Sequence, residues 1–151
     1  MAAAAQPTIR MPFVAGAFYP ESPAELRAAV EGFVAGARPA DPASPAPKAI
    51  IAPHAGYVYS GAIAGSAYAR LAPGRATIHR VVIAGPSHRV PLRGIAIPSV
   101  DAFATPLGNV PLDREALARV AALPFVHVMD EAHAMEHSLE VHLPFLQSVL
   151  D

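Results

Sequence analysis

KAIIAPHAGYVYSGAIAGSAYARL (48–71), followed by RVVIAGPSHRV (80–90), is the stretch that decides the fold. Each segment opens on a short apolar run rich in β-branched residues, KAIIA (48–52) and RVVIAG (80–85). Such runs suit a buried strand. Both stop at a proline, Pro53 or Pro86, which has no amide to give a strand ladder. Between them SGAIAGSAYARL (60–71) has helical length and side chains small enough for close packing on a sheet. Strand, helix and strand in that order read as a βαβ unit with parallel strands. The expected fold class is α/β, with a central, mostly parallel or mixed sheet flanked by helices.

Working outward, residues 1–10 are small and polar and are expected to fray. FVAGAFYP (13–20) is apolar with a closing proline. Ser22 can cap a helix that has Pro23 at its first position and Glu25 in its first turn. Leu26, Val30, Phe33 and Val34 then share one helical face. The Pro/Ala/Ser-rich segment 37–47 reads as a surface loop inside one domain, because the residues before it are too few to fold independently. Strands are expected at GIAIPS (94–99), around Phe103 and Val110, and at FVHVM (125–129). Helices are expected at 113–123, capped by Asp113, and at 136–150. The latter carries Leu139, Leu143, Leu146 and Leu150 on one face, with Pro144 as a kink or break.

Composition narrows the function. The chain has 151 residues, about one domain, and 53% hydrophobic residues can fill its core. Only 15% are charged and the net charge is −1, so nothing points to nucleic acid. The absence of cysteine excludes disulfides, thiolate metal sites and a cysteine nucleophile within these residues. No basic cluster precedes an apolar stretch at the N-terminus, and no apolar run reaches the ~18 residues a membrane span needs. The expected location is the cytoplasm.

The chemistry gathers on histidines. His54 follows the first predicted strand in a turn with Gly56, flanked by Tyr57 and Tyr59. His88 follows the second in GPSHR (85–89). Parallel sheets bind ligands beyond the carboxyl ends of their strands. If the two strands are neighbours, both imidazoles enter one crevice, where imidazole serves as metal ligand or general base. A lone histidine at a strand end is more often a hydrogen-bonded loop residue than a ligand; two at equivalent positions after successive strands bring the two readings level. A third cluster, DEAHAMEHSLEVHLPFLQ (130–147), spaces Glu136 and Glu140 four apart. On a helix these would share a face, with His137 beside Glu136, as ligands or as carboxylates that orient an imidazole. The competing reading is an acidic helix start. His133 and His142 read as ordinary surface or packing residues. Asp101 and Thr105 are further candidates for a pocket wall. Phosphate-loop, dinucleotide-binding, zinc-protease and serine-nucleophile motifs are absent, although Ser60 and Ser87 lie near histidines.

The series AGAFYP (15–20), IAPHAGYVYSG (51–61), GPSHR (85–89), TPLG (105–108) and EHSLEVHLPFLQ (136–147) resembles the Memo-like family, whose bacterial and archaeal members are called AmmeMemoRadiSam system protein B. The resemblance covers almost the whole chain. It implies a fold similar to the extradiol (class III) non-haem iron dioxygenases, with a divalent metal, Fe(II) or copper, held by His54 and His88. Tyr57, Ser87, Arg89, Glu136, His137 and Glu140 then line or support the pocket. Against that family the chain reads as an N-terminal half: a single domain over 1–151, incomplete at its C-terminus. The family's later pocket histidine and its cysteine ligand lie outside it, so Glu136, His137 or Glu140 would have to supply a third donor. Three functional readings follow. One is a metal-dependent oxidoreductase. Another is a non-catalytic adaptor binding a peptide or small anion, with Arg89 as its anion contact. The last is a fragment inactive without the rest of a longer protein. The family name also implies a pathway link to a radical-SAM protein and an AMMECR-type protein.

Overall fold

A computed structural model describes residues 6–38 and 44–151. Helix α1 (Pro23–Ala35) starts as the sequence predicts, with Ser22 accepting a hydrogen bond from the Glu25 amide. Leu26 and Val30 point into the core. Helix α2 (Tyr57–Tyr68) packs against α1 and runs on as a 3-10 stretch, Ala69–Gly74. It begins three residues before the predicted start. The Tyr57 amide donates to the Phe18 carbonyl at 2.7 Å, and the Ser60 hydroxyl donates to the Ala55 carbonyl at 2.8 Å. These bonds satisfy the first turn.

The α1–α2 contact depends on glycine. A Cβ at Gly65 would lie 2.6 Å from the backbone carbonyl of Phe33, and one at Gly61 would lie 2.4 Å from the Phe33 ring. Gly65→Val is therefore expected to cost about 2 kcal/mol or more, because the backbone of α1 has to move. Gly32→Ala, on α1 where an added Cβ meets nothing, should gain up to about 1 kcal/mol from helix propensity. Urea midpoints of the two variants decide this, and equal midpoints would refute the close contact.

Among the described residues, five short strands form two small sheets. Strand β1 (Ile9–Arg10) lies parallel to β3 (Ala102–Thr105), which pairs antiparallel with β4 (Gly108–Pro111). Strand β2 (Ile95–Ile97) pairs in parallel with β5 (Val126–Val128). Helix α3 (Arg114–Ala121), capped by Asp113, connects them. A short helix α4 (Glu131–Ala134), a 3-10 turn (Glu140–His142) and α5 (Leu143–Val149) complete the chain. Tyr57, Tyr68, Val141, Phe145 and Val149 join Leu26 and Val30 in the main core. There the Tyr68 and Phe145 rings stack at 5.1 Å.

Three expectations are corrected. Residues 9–10 do not fray: β1 is held in register, and the Asp101 carboxylate accepts bonds from both the amide and the hydroxyl of Thr8. Residues 136–150 are not one helix. The Glu136 carboxylate captures the His137 and Ser138 amides, a side-chain alternative to the helical pattern. Pro144 falls in the first turn of α5, where its missing amide costs nothing. The class is α/β, but the central sheet is not formed among the described residues. Among the described residues, 48–52 and 80–85 carry no strand, and no backbone–backbone hydrogen bond involves residues 48–55 or 79–86. Ile50 and Ala52 rest against the helical core, but no strand lies beside them. Part of the predicted 37–47 loop, residues 39–43, falls outside the described residues, and the remainder carries no helix or strand.

Candidate metal centre

The two Pro-terminated segments deliver His54 and His88 to the same place. Their ring centroids lie 5.2 Å apart. His137, in the turn that Glu136 creates, stacks on His88 at 4.7 Å and lies 5.9 Å from His54. One ring nitrogen from each of the three lies within 4.8 Å of the others. A metal held at ordinary metal–imidazole distances sets such nitrogens roughly 3.3 Å apart. Small rotations of these part-exposed rings can close that difference.

Glu136 orients the cluster. It is buried; its Oε2 accepts the His88 amide at 2.6 Å, and its Oε1 lies 2.9 Å from His88 Nδ1. With the carboxylate ionised, Nδ1 is the donor, which leaves Nε2 of His88 as the free lone pair. Oε1 also takes the His137 and Ser138 amides at 2.8 and 2.9 Å. Burial alone would raise the Glu136 pKa, but the bonds from His88, Ser138 and His137 outweigh it and hold the value at about 2. For His137, burial comes first in lowering the pKa. Neighbouring His88 and His54 add to that effect, and Glu136 opposes it. The base form able to ligate is thereby favoured. His54 and His137 face a cleft of about 600 Å³, walled by Ala17, Phe18, Pro53, Ala55, Gly56 and Tyr59. The Phe18 ring packs against His137 at 4.8 Å.

A family model described as Memo-like protein matches residues 10–151. The chain belongs to the Memo family. A MEMO1 family protein of Aquifex aeolicus is 40% identical over 139 residues, covering 92% of this chain and 49% of the relative. One from Methanothermobacter thermautotrophicus is 40% identical over 153 residues, covering 95% and 53%. Protein MEMO1 of Danio rerio is 38% identical over 138 residues, covering 91% and 45%. The chain thus spans about half the length of the curated relatives it matches.

The remaining predicted residues of this Memo chain scatter around the cluster. Ser87 turns to the Val90 carbonyl at 2.7 Å, which shapes the loop that carries His88. Arg89 lies over the Phe13 ring at 5.3 Å. Tyr57 points into the core and donates to the Val141 carbonyl at 2.8 Å, while Tyr59 takes its place on the cleft wall. Asp101 and Thr105 serve elsewhere: Asp101 binds Thr8, and Thr105 donates to Gln147 at 2.7 Å. Glu140 is buried away from the cleft, paired with Arg10 and accepting from Tyr19 at 2.6 Å. Because residues 136–139 are not helical, Glu136 and Glu140 do not share a face as the spacing suggested. Sequence reasoning missed Phe18, Arg10 and Tyr19. The signal available for Phe18 and Tyr19 was the AGAFYP motif itself, quoted as a mark of resemblance without a role; Arg10 lies outside it.

His142 lies beneath the site. It is buried, its Nδ1 has no partner, and burial, helped by His54, pulls its pKa down to about 4. No helix is long and apolar enough to cross a membrane among the described residues.

Proposed function

We propose that His54, His88 and His137 hold a divalent metal, Fe(II) or copper, and that the whole protein is a metal-dependent oxidoreductase related to the extradiol-type dioxygenases. The convergence of three ring nitrogens, two of them on residues that line a cleft, carries this reading. The donor set fits: imidazole suits iron and copper, and three protein ligands leave positions open. When bound, the metal supplies a redox-active, Lewis-acidic centre at those open positions.

The chain's own residues do the rest. Glu136 keeps the proton on His88 Nδ1 and fixes the ring's orientation. Phe18 and Pro53 give the cleft apolar walls, and Tyr59 offers a phenol to a small molecule or peptide entering it. Arg89, near the His88 loop, is the cation available to an anionic group of that ligand.

The test is anaerobic thermal unfolding with and without Fe(II), for the parent chain and for His54→Ala. A ligand that binds only the native state adds about 2.7 kcal/mol at 100 times its Kd, a shift of several degrees at this size. The parent should show that shift and the variant should not. An equal shift in both, or none in the parent, would remove the metal centre from the reading.

A further inference from the structure

We infer that Ser138 is a positioning residue for the proposed metal centre: together with Gly85 it clamps the GPSHR loop (85–89) onto the turn at 136–139, and so sets the spacing of His88 and His137. This rests on the metal reading above and deepens it. Ser138 spends its hydroxyl on a backbone carbonyl, so it acts through the loops that carry the ligands.

Side chains place the 85–89 loop. Among the described residues, no backbone–backbone hydrogen bond involves residues 79–86. Glu136 holds the loop at His88, taking its amide at 2.6 Å and lying 2.9 Å from its Nδ1. Attachment at one residue would let the loop pivot. Ser138 supplies the second attachment: its hydroxyl donates to the Pro86 carbonyl at 2.8 Å. Pro86 stands two residues ahead of His88, and its ring fixes its own φ, so few torsions remain free between the two attachments. Within that span the Ser87 hydroxyl closes on the Val90 carbonyl at 2.7 Å.

Ser138 is itself held. It is 1% exposed, and its amide donates to Glu136 Oε1 at 2.9 Å. The carboxylate that orients His88 therefore also sets the residue that anchors Pro86. Gly85 lets the two loops close. A Cβ there would lie 3.0 Å from Ser138 Oγ and 3.0 Å from Leu139 Cδ2, inside ordinary contact distance. A buried hydroxyl bonded to a carbonyl satisfies both groups wherever it occurs. This one joins the two loops whose imidazoles stack at 4.7 Å. A binding site needs its donors held to about 0.5 Å, which packing and supporting hydrogen bonds provide.

The experiment compares Ser138→Ala and Gly85→Ala with the parent chain in two readouts. The first is anaerobic titration of Fe(II) against a competing chelator, well below the melting temperature. Ser138→Ala should weaken binding about 10-fold. Gly85→Ala should also weaken it, although every hydrogen-bonding group is kept. The double variant should lose less than the product of the two, because both open one contact. Thr105→Val removes a buried hydroxyl that bonds Gln147. It should lower the melting temperature and leave the affinity unchanged. The second readout uses no metal. Nuclear Overhauser contacts between the His88 and His137 rings should be present in the parent and in Thr105→Val, and weaker in both loop variants. Unchanged affinity and ring contacts in folded Ser138→Ala would overturn the proposal, leaving the hydroxyl a stabilising bond only. An equal loss of affinity in Thr105→Val would overturn it too, since affinity would then follow stability. If Ser138→Ala does not fold, Gly85→Ala decides on the same terms. A parent that binds no Fe(II) is the failure of the metal reading; the ring contacts then decide the clamp alone, and their persistence in the variants overturns it.

Discussion

Glu140→Ala is expected to unfold this chain more readily than any other single substitution considered, at a cost of about 3–5 kcal/mol. Glu140 is 0% exposed. Its carboxylate pairs with Arg10 and accepts from the Phe13 amide at 2.9 Å, the Val14 amide at 3.0 Å and the Tyr19 hydroxyl at 2.6 Å. Arg10 spends its other donors on the Glu136 carbonyl at 2.7 Å and the His133 carbonyl at 3.1 Å, with its guanidinium 5.2 Å from the Phe103 ring centroid. One side chain thus ties strand β1, the AGAFYP loop and the turn that carries His137. Alanine would leave a buried cation without its counter-ion, and a phenol and two amides without that acceptor. Burial first, then Glu140, drives the Tyr19 pKa upward, so the phenol stays a donor. The double variant Arg10→Met/Glu140→Ala should recover part of the loss, because it removes both charges together. Denaturant midpoints at constant slope measure both. A Glu140→Ala cost below about 1 kcal/mol would mean that water reaches the pair.

That network also shows where sequence reading stops. His54 and His88 were legible because each follows an apolar, Pro-terminated run, and the chemistry of strand ends is a local rule. Their convergence within one cluster is seen in the structure, although by a different route from the one expected. Among the described residues the two segments carry no strand and no backbone–backbone hydrogen bond, since β-branched composition favours a strand but does not specify the neighbour beside it. His137 was assigned to a supporting group on the strength of helical spacing. It reaches the cluster because Glu136 breaks the helix by taking two of its amides. Arg10 and Glu140 sit 130 positions apart, and no periodicity links residues at that distance. A carboxylate four residues from another reads as a shared face until burial separates the pair. Residues 9–10 looked like a frayed end because two residues of strand carry almost no pattern, and their register comes from Asp101 binding Thr8 across the sheet.

Glu136→Gln is expected to weaken Fe(II) binding about 10- to 100-fold, the usual cost of losing a partner that orients a ligating imidazole. The amide oxygen of glutamine can still accept from His137 and Ser138, so the turn should survive. The charge that holds the proton on His88 Nδ1 is lost, and a competition titration against a metal chelator reads the change. The same substitution alters the pH profile. The pKa of Glu136 falls from its ordinary 4.5 to about 2 in the folded chain. Its contribution to stability is therefore complete above the ordinary value and is lost as pH drops toward 2. His142 acts in a separate window. Its folded value of about 4 lies below the ordinary 6.5, so the fold favours the neutral ring, and stability declines as pH falls from 6.5 to 4. Melting temperature against pH should accordingly fall in two steps in the parent. Glu136→Gln shrinks the lower step without abolishing it, because Asp101, Asp113 and Asp130 are also held below their ordinary values by their hydrogen bonds, and leaves the upper in place. His142→Phe shrinks the upper step without abolishing it, because burial also lowers the pKa of His133 and His137. If the glutamine variant bound Fe(II) as tightly as the parent while its lower step shrank, Glu136 would be a fold-stabilising acceptor with no hold on the metal ligands.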